Sequence, residues 1–182
     1  MQYAAEPTSL RRPMNGWVRP VVVLVHRLRF LRLRIRSLGR VTAAAPPTVA
    51  RGVRVLSPAR VSLGRRTSLG RGVYIETDLV AGDDVLLGGG VALVGNQHPI
   101  DSPGPVTGPY VGPPGTVRMD GDNFIGEGAI VIAPCHLQHG AIVGAGAVAT
   151  GTLLADTIYV GVPARPLRRR DRSGGTPPVT PG

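Results

Sequence analysis

The chain has 182 residues, of which 4% are aromatic, 26 are Gly and one is Cys. Its net charge of +10 is carried entirely by Arg. That length allows one domain with short extensions. A lone Cys135 excludes an internal disulfide framework and agrees with a reducing compartment, the cytoplasm being the simplest. So few aromatics disfavour an ordinary α/β core and favour a thin, regular architecture built from Val, Leu, Ile and Ala.

The charge is unevenly divided. Residues 1–71 carry 15 Arg against Glu6, residues 72–164 carry Arg118 against nine acidic residues, and residues 165–182 carry five Arg against Asp171. A nucleic-acid-binding domain concentrates basic charge and stacking aromatics on its folded body. Here the body is acidic and the ends are basic, so no nucleic-acid partner is expected.

In chain order, residues 1–17 read as a flexible N-terminus and residues 18–40 as a basic segment. Val21, Leu24, Leu28, Leu31, Ile35 and Leu38 fall on a three-four stripe, with Arg27, Arg32, Arg34 and Arg36 mostly elsewhere. That is the pattern of an amphipathic helix, although the alternation from Arg27 to Arg36 also permits a strand. Two roles are open: a cap on the domain that follows, or contact with an anionic membrane surface. VVVLV (21–25) lacks the flanks of a secretory signal, and no apolar run reaches the ~20 residues that cross a bilayer.

From residue 41 to 160 a six-residue period takes over. Leu63, Leu69, Ile75, Ala81, Leu87 and Leu93 form one register, and Val49, Val55, Val61, Thr67, Val73, Leu79, Val85 and Val91 a second, with no slip expected between them. After an interruption at residues 94–116, Met119, Ile125, Val131, Leu137, Val143 and Ala149 resume it, with companions Val117, Asn123, Ala129, Cys135, Ala141 and Ala147. A period of six suits neither a helix nor a lone strand, but does suit a short strand plus a corner repeated around a solenoid. The expected fold is all-β, a parallel β-helix of hexapeptide repeats; its left hand is what the resemblance described next implies. Cys135 sits in an inward register and reads as core. His136 and His139 read as ordinary turn residues. Residues 94–116, rich in Pro and Gly, form a loop; residues 161–170 form a C-terminal arm and 171–182 a disordered tail.

The segment DGDNFIGEGAIVIAPCHLQHGAIVGAGAVATGTLLADTIYVGVPAR (120–165) resembles the left-handed β-helix acyltransferases, above all the galactoside, maltose and polysaccharide O-acetyltransferases. Their usual Asp-Asn-x-Trp-Ile-Gly, Ile-Gly-Ala-Gly-Ser-Val-Val-Thr-Lys and Gly-x-Pro-Ala-Arg runs map onto it, and the likeness covers residues 49–170. VLLGGGVALVGNQHPI (85–100) aligns with the stretch that ends in the family's catalytic histidine, which falls on His98. The resemblance implies an acyl-CoA-dependent O-acyltransferase acetylating a hydroxyl of a sugar or saccharide, with acetyl-CoA as co-substrate and no metal. His98 would be the general base, since a hydroxyl is a weak nucleophile and an imidazole of pKa near ~6.5 can take its proton.

The resemblance also places Ala145 and Thr150 along the pantetheine and adenine path, and Arg165 and Arg168 on the coenzyme phosphates. Asp78 stands where the family presents an Asn to the sugar; it would accept a hydroxyl hydrogen bond or orient the imidazolium, or else be a corner Asp. Asp101 is a candidate by proximity to His98. Arg169, Arg170 and Arg172 read as a solvated tail. Two departures stand out: Gly151 replaces the usual Lys after the Thr, and Glu127 replaces a small polar residue. A homotrimer is expected, with His98 on one wall of each site and the Ala145/Thr150 coil on the other, in a cytoplasmic protein that is peripheral to the membrane if residues 18–40 bind it.

Two other classes compete. A γ-class carbonic anhydrase needs three metal-binding histidines, a pair of them five residues apart, whereas His136 and His139 are three apart. A non-catalytic structural β-helix needs neither His98 nor the C-terminal arm.

Overall fold

In the computed structural model, residues 18–95, 105, 107 and 115–173 are described. A helix, α1 (Val18–Arg36), precedes a coil of short strands. The first coil comprises β1 (Val41–Ala43), β2 (Thr48–Val49) and β3 (Arg54–Val55); the second β4 (Val61–Leu63), β5 (Ser68–Leu69) and β6 (Tyr74–Ile75); the third β7 (Asp78–Ala81), β8 (Leu86–Leu87) and β9 (Ala92–Val94). Beyond the loop come β10 (Thr116–Met119), β11 (Phe124–Ile125) and β12 (Ile130–Leu137), then β13 (Ile142–Val143), β14 (Val148–Leu153) and β15 (Thr157–Val160). Strands β12 and β14 each round a corner from one coil into the next. The last strand, β16 (Arg165–Arg169), turns back antiparallel on β15.

Every other strand pairing among these residues is parallel, and the strands stack into three faces. The first face runs β1, β4, β7, β10 and the end of β12; the second runs β2, β5, β8, β11, β13, β15; the third runs β3, β6, β9 and the start of β12, which β14 extends. The result is a parallel β-solenoid of about six turns, as the hexad period predicts, and it fits the left-handed β-helix that the resemblance implies.

Alternation along each strand sends every second side chain inward. Columns of like residues therefore fill the interior: Leu69, Leu87, Ile125 and Val143 on the second face, Ile75, Leu93, Val131 and Ala149 on the third, each 1% exposed or less. Stacked aliphatic side chains fill these columns rung by rung, so few aromatics are needed, Tyr159 on the last rung being one that is buried. Cys135 occupies its inward column, 4% exposed, and burial pushes its thiol up to about 12. It is a core residue and no nucleophile. The corners use left-handed backbone, including at Asp84 (φ 61°) and Asp122 (φ 50°), residues that tolerate it.

Four expectations are corrected. The first concerns phase, which does slip between Val55 and Val61. Val41 pairs with Val61 and Val49 with Leu69, a step of twenty residues, whereas Val61 to Leu79 is eighteen. The surplus lies around Pro58, between β3 and β4. Because inward residues recur every second position, a slip of two exchanges the registers yet keeps Val49 buried, so the sequence pattern hides it.

The second concerns α1. Its stripe of Val21, Leu24, Leu28, Leu31 and Ile35 does not pack on the coil: each is more than half exposed. The opposite face does, through Leu33, Phe30 and Ser37, and His26 Nδ1 lies 2.8 Å from the Val49 carbonyl oxygen. Polar His26 and Ser37 interrupt that face, so a hydropathy pattern selects the other one.

The third is His136, which lies in β12 and not in a turn, its Nε2 2.8 Å from Asp120 Oδ2. Burial works to raise the Asp120 carboxyl, but hydrogen bonds from His136 and Arg118 outweigh it and hold it below its ordinary value. The fourth is the basic tail. Arg170 Nη1 lies 2.8 Å from Asp122 Oδ2, and Arg172 pairs with both Asp122 and Asp156. These two arginines latch the C-terminal arm onto the corner between the first and second faces.

Candidate functional site

The solenoid is interrupted at one corner, where the third face would turn into the first. The chain leaves after Val94, the last residue of β9, and returns at Thr116, the first of β10. Both ends of the excursion are closely packed. A Cβ on Gly95 would lie 2.6 Å from Thr77 Oγ1 and 2.7 Å from the Ala133 Cβ, and one on Gly115 would lie 2.9 Å from the same Ala133 Cβ. Thr77, fully buried, donates its hydroxyl to the Gly115 carbonyl. Thr77 and Ala133 thus clamp the stem of the loop from the coils on either side. Neither stands out in the sequence, because Thr77 looks like a corner residue and Ala133 like any small core residue.

His98 and Asp101 lie in that loop, outside the described residues. Asp78 begins β7, and its Cα pairs with Thr116 at the loop's return. Its Oδ1 accepts a hydrogen bond of 2.8 Å from the backbone N–H of Arg60, one coil below. Asp78 therefore has a corner-capping role beside the loop stem, the reading that competed with acceptor binding.

Thr150 is exposed on the third face, in the row that runs Val94, Ile132, Thr150. Two rungs at ~4.8 Å each put its backbone about 10 Å from Val94, where the loop departs. Ala145 is exposed at the corner between the second and third faces of the same coil. The chain after β15 crosses above it: Val148 N–H donates to the Gly161 carbonyl (3.1 Å), and Ala164 N–H donates to the Val148 carbonyl (2.8 Å). Arg165 follows immediately. Ala145, Thr150 and Arg165 thus gather at one end of the solenoid, while Arg168 lies further along the arm, paired with Ile158 on the second face. Both arginines are exposed, and among the described residues their side chains donate only to the carbonyl of a chain neighbour, Arg165 to Ala164 (3.2 Å) and Arg168 to Arg169 (3.0 Å). Guanidinium groups so placed suit phosphate oxygens.

The two departures from the family pattern acquire physical reasons. Glu127 sits one rung below Ala145, but its Oε1 is 3.0 Å from the Cβ position of Gly89, one rung further down. The carboxylate is folded away from Ala145. Gly151 has φ +71° at a tightened corner, where the pairing shifts because Ala133 and Pro134 have no counterpart in β14. A side chain there would hold the strained left-handed conformation. Among the described residues, no three His, Cys, Asp or Glu side chains gather as a metal site.

No protein-family profile matches the chain. A 72-residue stretch is 35% identical to a Schizosaccharomyces pombe protein named provisionally as an acetyltransferase, covering 40% of this chain and 34% of that one. The chain thus spans about a third of that relative. Among solved structures, AntD, an N-acyltransferase from Bacillus cereus in complex with dTDP and 3-hydroxybutyryl-CoA, superposes with a TM-score of 0.61 at 16% identity, over 78% of this chain and 89% of that one. A maltose O-acetyltransferase from Clostridium difficile 630 gives 0.59 at 18% identity, over 82% and 89%. A mutant of AntD in complex with dTDP-4-amino-4,6-dideoxyglucose and coenzyme A gives 0.56 at 20% identity, over 80% and 90%. The chain is an acetyltransferase homologue that shares the parallel β-solenoid fold of the hexapeptide-repeat O- and N-acyltransferases.

Proposed function

We propose that the protein is an acyl-CoA-dependent O-acyltransferase, an acetyltransferase acting on a hydroxyl of a sugar or saccharide, working as a homotrimer. The observation that carries this reading is the gathering of Ala145, Thr150 and Arg165 at one end of a parallel solenoid whose coils also hold a loop stem at Gly95 and Gly115. The fold shared with coenzyme A-bound AntD supports a thioester donor.

In this reading His98, carried by the clamped loop, takes the proton of the acceptor hydroxyl as the oxygen attacks the thioester carbonyl. The new C–O bond forms, the C–S bond breaks, and the imidazolium returns the proton to the departing thiolate. No acyl-enzyme is needed. The exposed small side chain of Ala145 leaves space for the pantetheine arm, Thr150 offers a hydroxyl, and Arg165 and Arg168 meet the phosphates. In a trimer the His98 loop and the Ala145/Thr150 coil would come from neighbouring subunits.

The test is thiol release from acetyl-CoA across a panel of sugars and nucleotide sugars. At least one acceptor should give turnover, and His98→Ala should lower it by ~10²–10⁴. Turnover that survives His98→Ala removes the proposed base. Absence of turnover with every acceptor and with both acetyl- and longer acyl-CoA would favour a structural solenoid.

A further inference from the structure

Helix α1 carries two apolar faces, and only one is used by the fold. At 3.6 residues per turn, Leu33, Ser37 and His26 project toward the first coil, while Val21, Leu24, Leu28, Leu31 and Ile35 project the opposite way. Those five are 53–65% exposed. They form a continuous ridge over a helix about 28 Å long. The same periodicity sets Arg27 and Arg34 along one flank of the ridge and Arg32 and Arg36 along the other, and α1 contains no acidic residue. On the second flank Arg29, Arg32 and Arg36 face Arg51 and Arg54 of the first coil across a groove of about 990 Å³.

We propose that this exposed face of α1, with the five-arginine groove beside it, docks the protein on the surface of an anionic lipid bilayer. The aliphatic ridge enters the boundary between headgroups and acyl chains. The arginines on both flanks meet lipid phosphates, and the groove receives headgroups alongside the helix. The helix lies on the bilayer and does not span it, as no helix among the described residues is long and apolar enough to cross.

Charge and polarity select this occupant over others. A second copy of the chain would oppose two arginine-flanked ridges with no acidic residue on either helix to offset them. A nucleic acid satisfies the arginines but offers nothing to five aliphatic side chains. An anionic bilayer complements both at once. This inference stands apart from the acyl-transfer reading, because membrane binding is measured without turnover.

The experiment is co-sedimentation of the full chain with vesicles of phosphatidylcholine alone and of phosphatidylcholine and phosphatidylglycerol in equal parts. Binding should appear with the anionic vesicles only and weaken as salt is raised. Leu28→Ser with Leu31→Ser should lower the partition coefficient at least ~tenfold. Arg32→Gln and Arg36→Gln should each lower it about fivefold. These positions lie outside the solenoid core, and an unchanged thermal transition confirms that the variants fold. Failure to bind anionic vesicles at low salt, or variants that bind like the wild type, would overturn the proposal. So would a change of oligomeric state in the Leu28→Ser, Leu31→Ser variant, which assigns the ridge to a second copy. Preferential binding of single-stranded RNA over the vesicles would overturn it too.

Discussion

The Thr77 hydroxyl donates to the Gly115 carbonyl and so ties the corner between the second and third coils to the residue at which the excursion loop rejoins the solenoid. The bond spans 38 positions of sequence and lies beside the corner at which the chain leaves the coil and returns to it. It fixes where the loop re-enters the solenoid.

Thr77→Val keeps the shape and removes the donor. The loss should cost about 1 kcal/mol of stability, the ordinary worth of one such bond. If the loop carries the catalytic base, acyl transfer should fall by more than that, on the order of tenfold in kcat, since small misplacements of a reacting group are expensive. Thermal unfolding and steady-state kinetics on one preparation separate the two. A kcat unchanged alongside a lowered Tm would make Thr77 purely structural.

Among the described residues, the Arg165 and Arg168 side chains hydrogen-bond only to the carbonyl of a chain neighbour, so they have little to lose by substitution. Arg165→Gln and Arg168→Gln should leave Tm within about half a kcal/mol of the wild type. Each should raise KM for acyl-CoA roughly tenfold or more, the scale of a charge-assisted hydrogen bond, with kcat little changed. Calorimetric titration with coenzyme A checks this directly.

Gly151→Lys introduces the residue usual in the acyltransferases that this segment resembles but puts a side chain at φ +71°. The strain should cost about 1–2 kcal/mol, read as a lower thermal midpoint. An unchanged midpoint would mean the tightened corner relaxes out of the left-handed region.

The C-terminal latch should be sensitive to acid. The hydrogen bond from Arg172 above all holds the Asp156 carboxyl below its ordinary value, with burial opposing and the charges of Arg172 and Arg170 adding. A depressed carboxyl contributes stability that is complete above the unfolded value near ~3.9 and is lost as pH falls through the lower folded value. Amide exchange in β16 should therefore quicken below about pH 4 in the wild type. In Arg172→Gln it should be faster already at neutral pH, and salt should move the wild type toward the variant.

The hexad period was readable from residue types alone, because each inward position along a strand must be apolar and small enough to stack on the next rung. That requirement determined the solenoid, the place where it is interrupted, and the burial of Cys135. Resemblance in the repeated segment extended this to Ala145, Thr150 and Arg165, which the fold brings to one end. Tertiary structure decided what the local pattern leaves degenerate. A two-residue slip at Pro58 leaves the in-out alternation intact, so only strand pairing reveals that Val49 stacks on Leu69. A helix with apolar residues on both sides has no local reason to prefer either; Leu33 is buried and Leu31 exposed because the first coil offers its surface and the Val49 carbonyl to one side. Likewise, Arg172 meets Asp122 and Asp156 only because β16 folds back along β15, a contact between residues far apart in the chain that no spacing encodes.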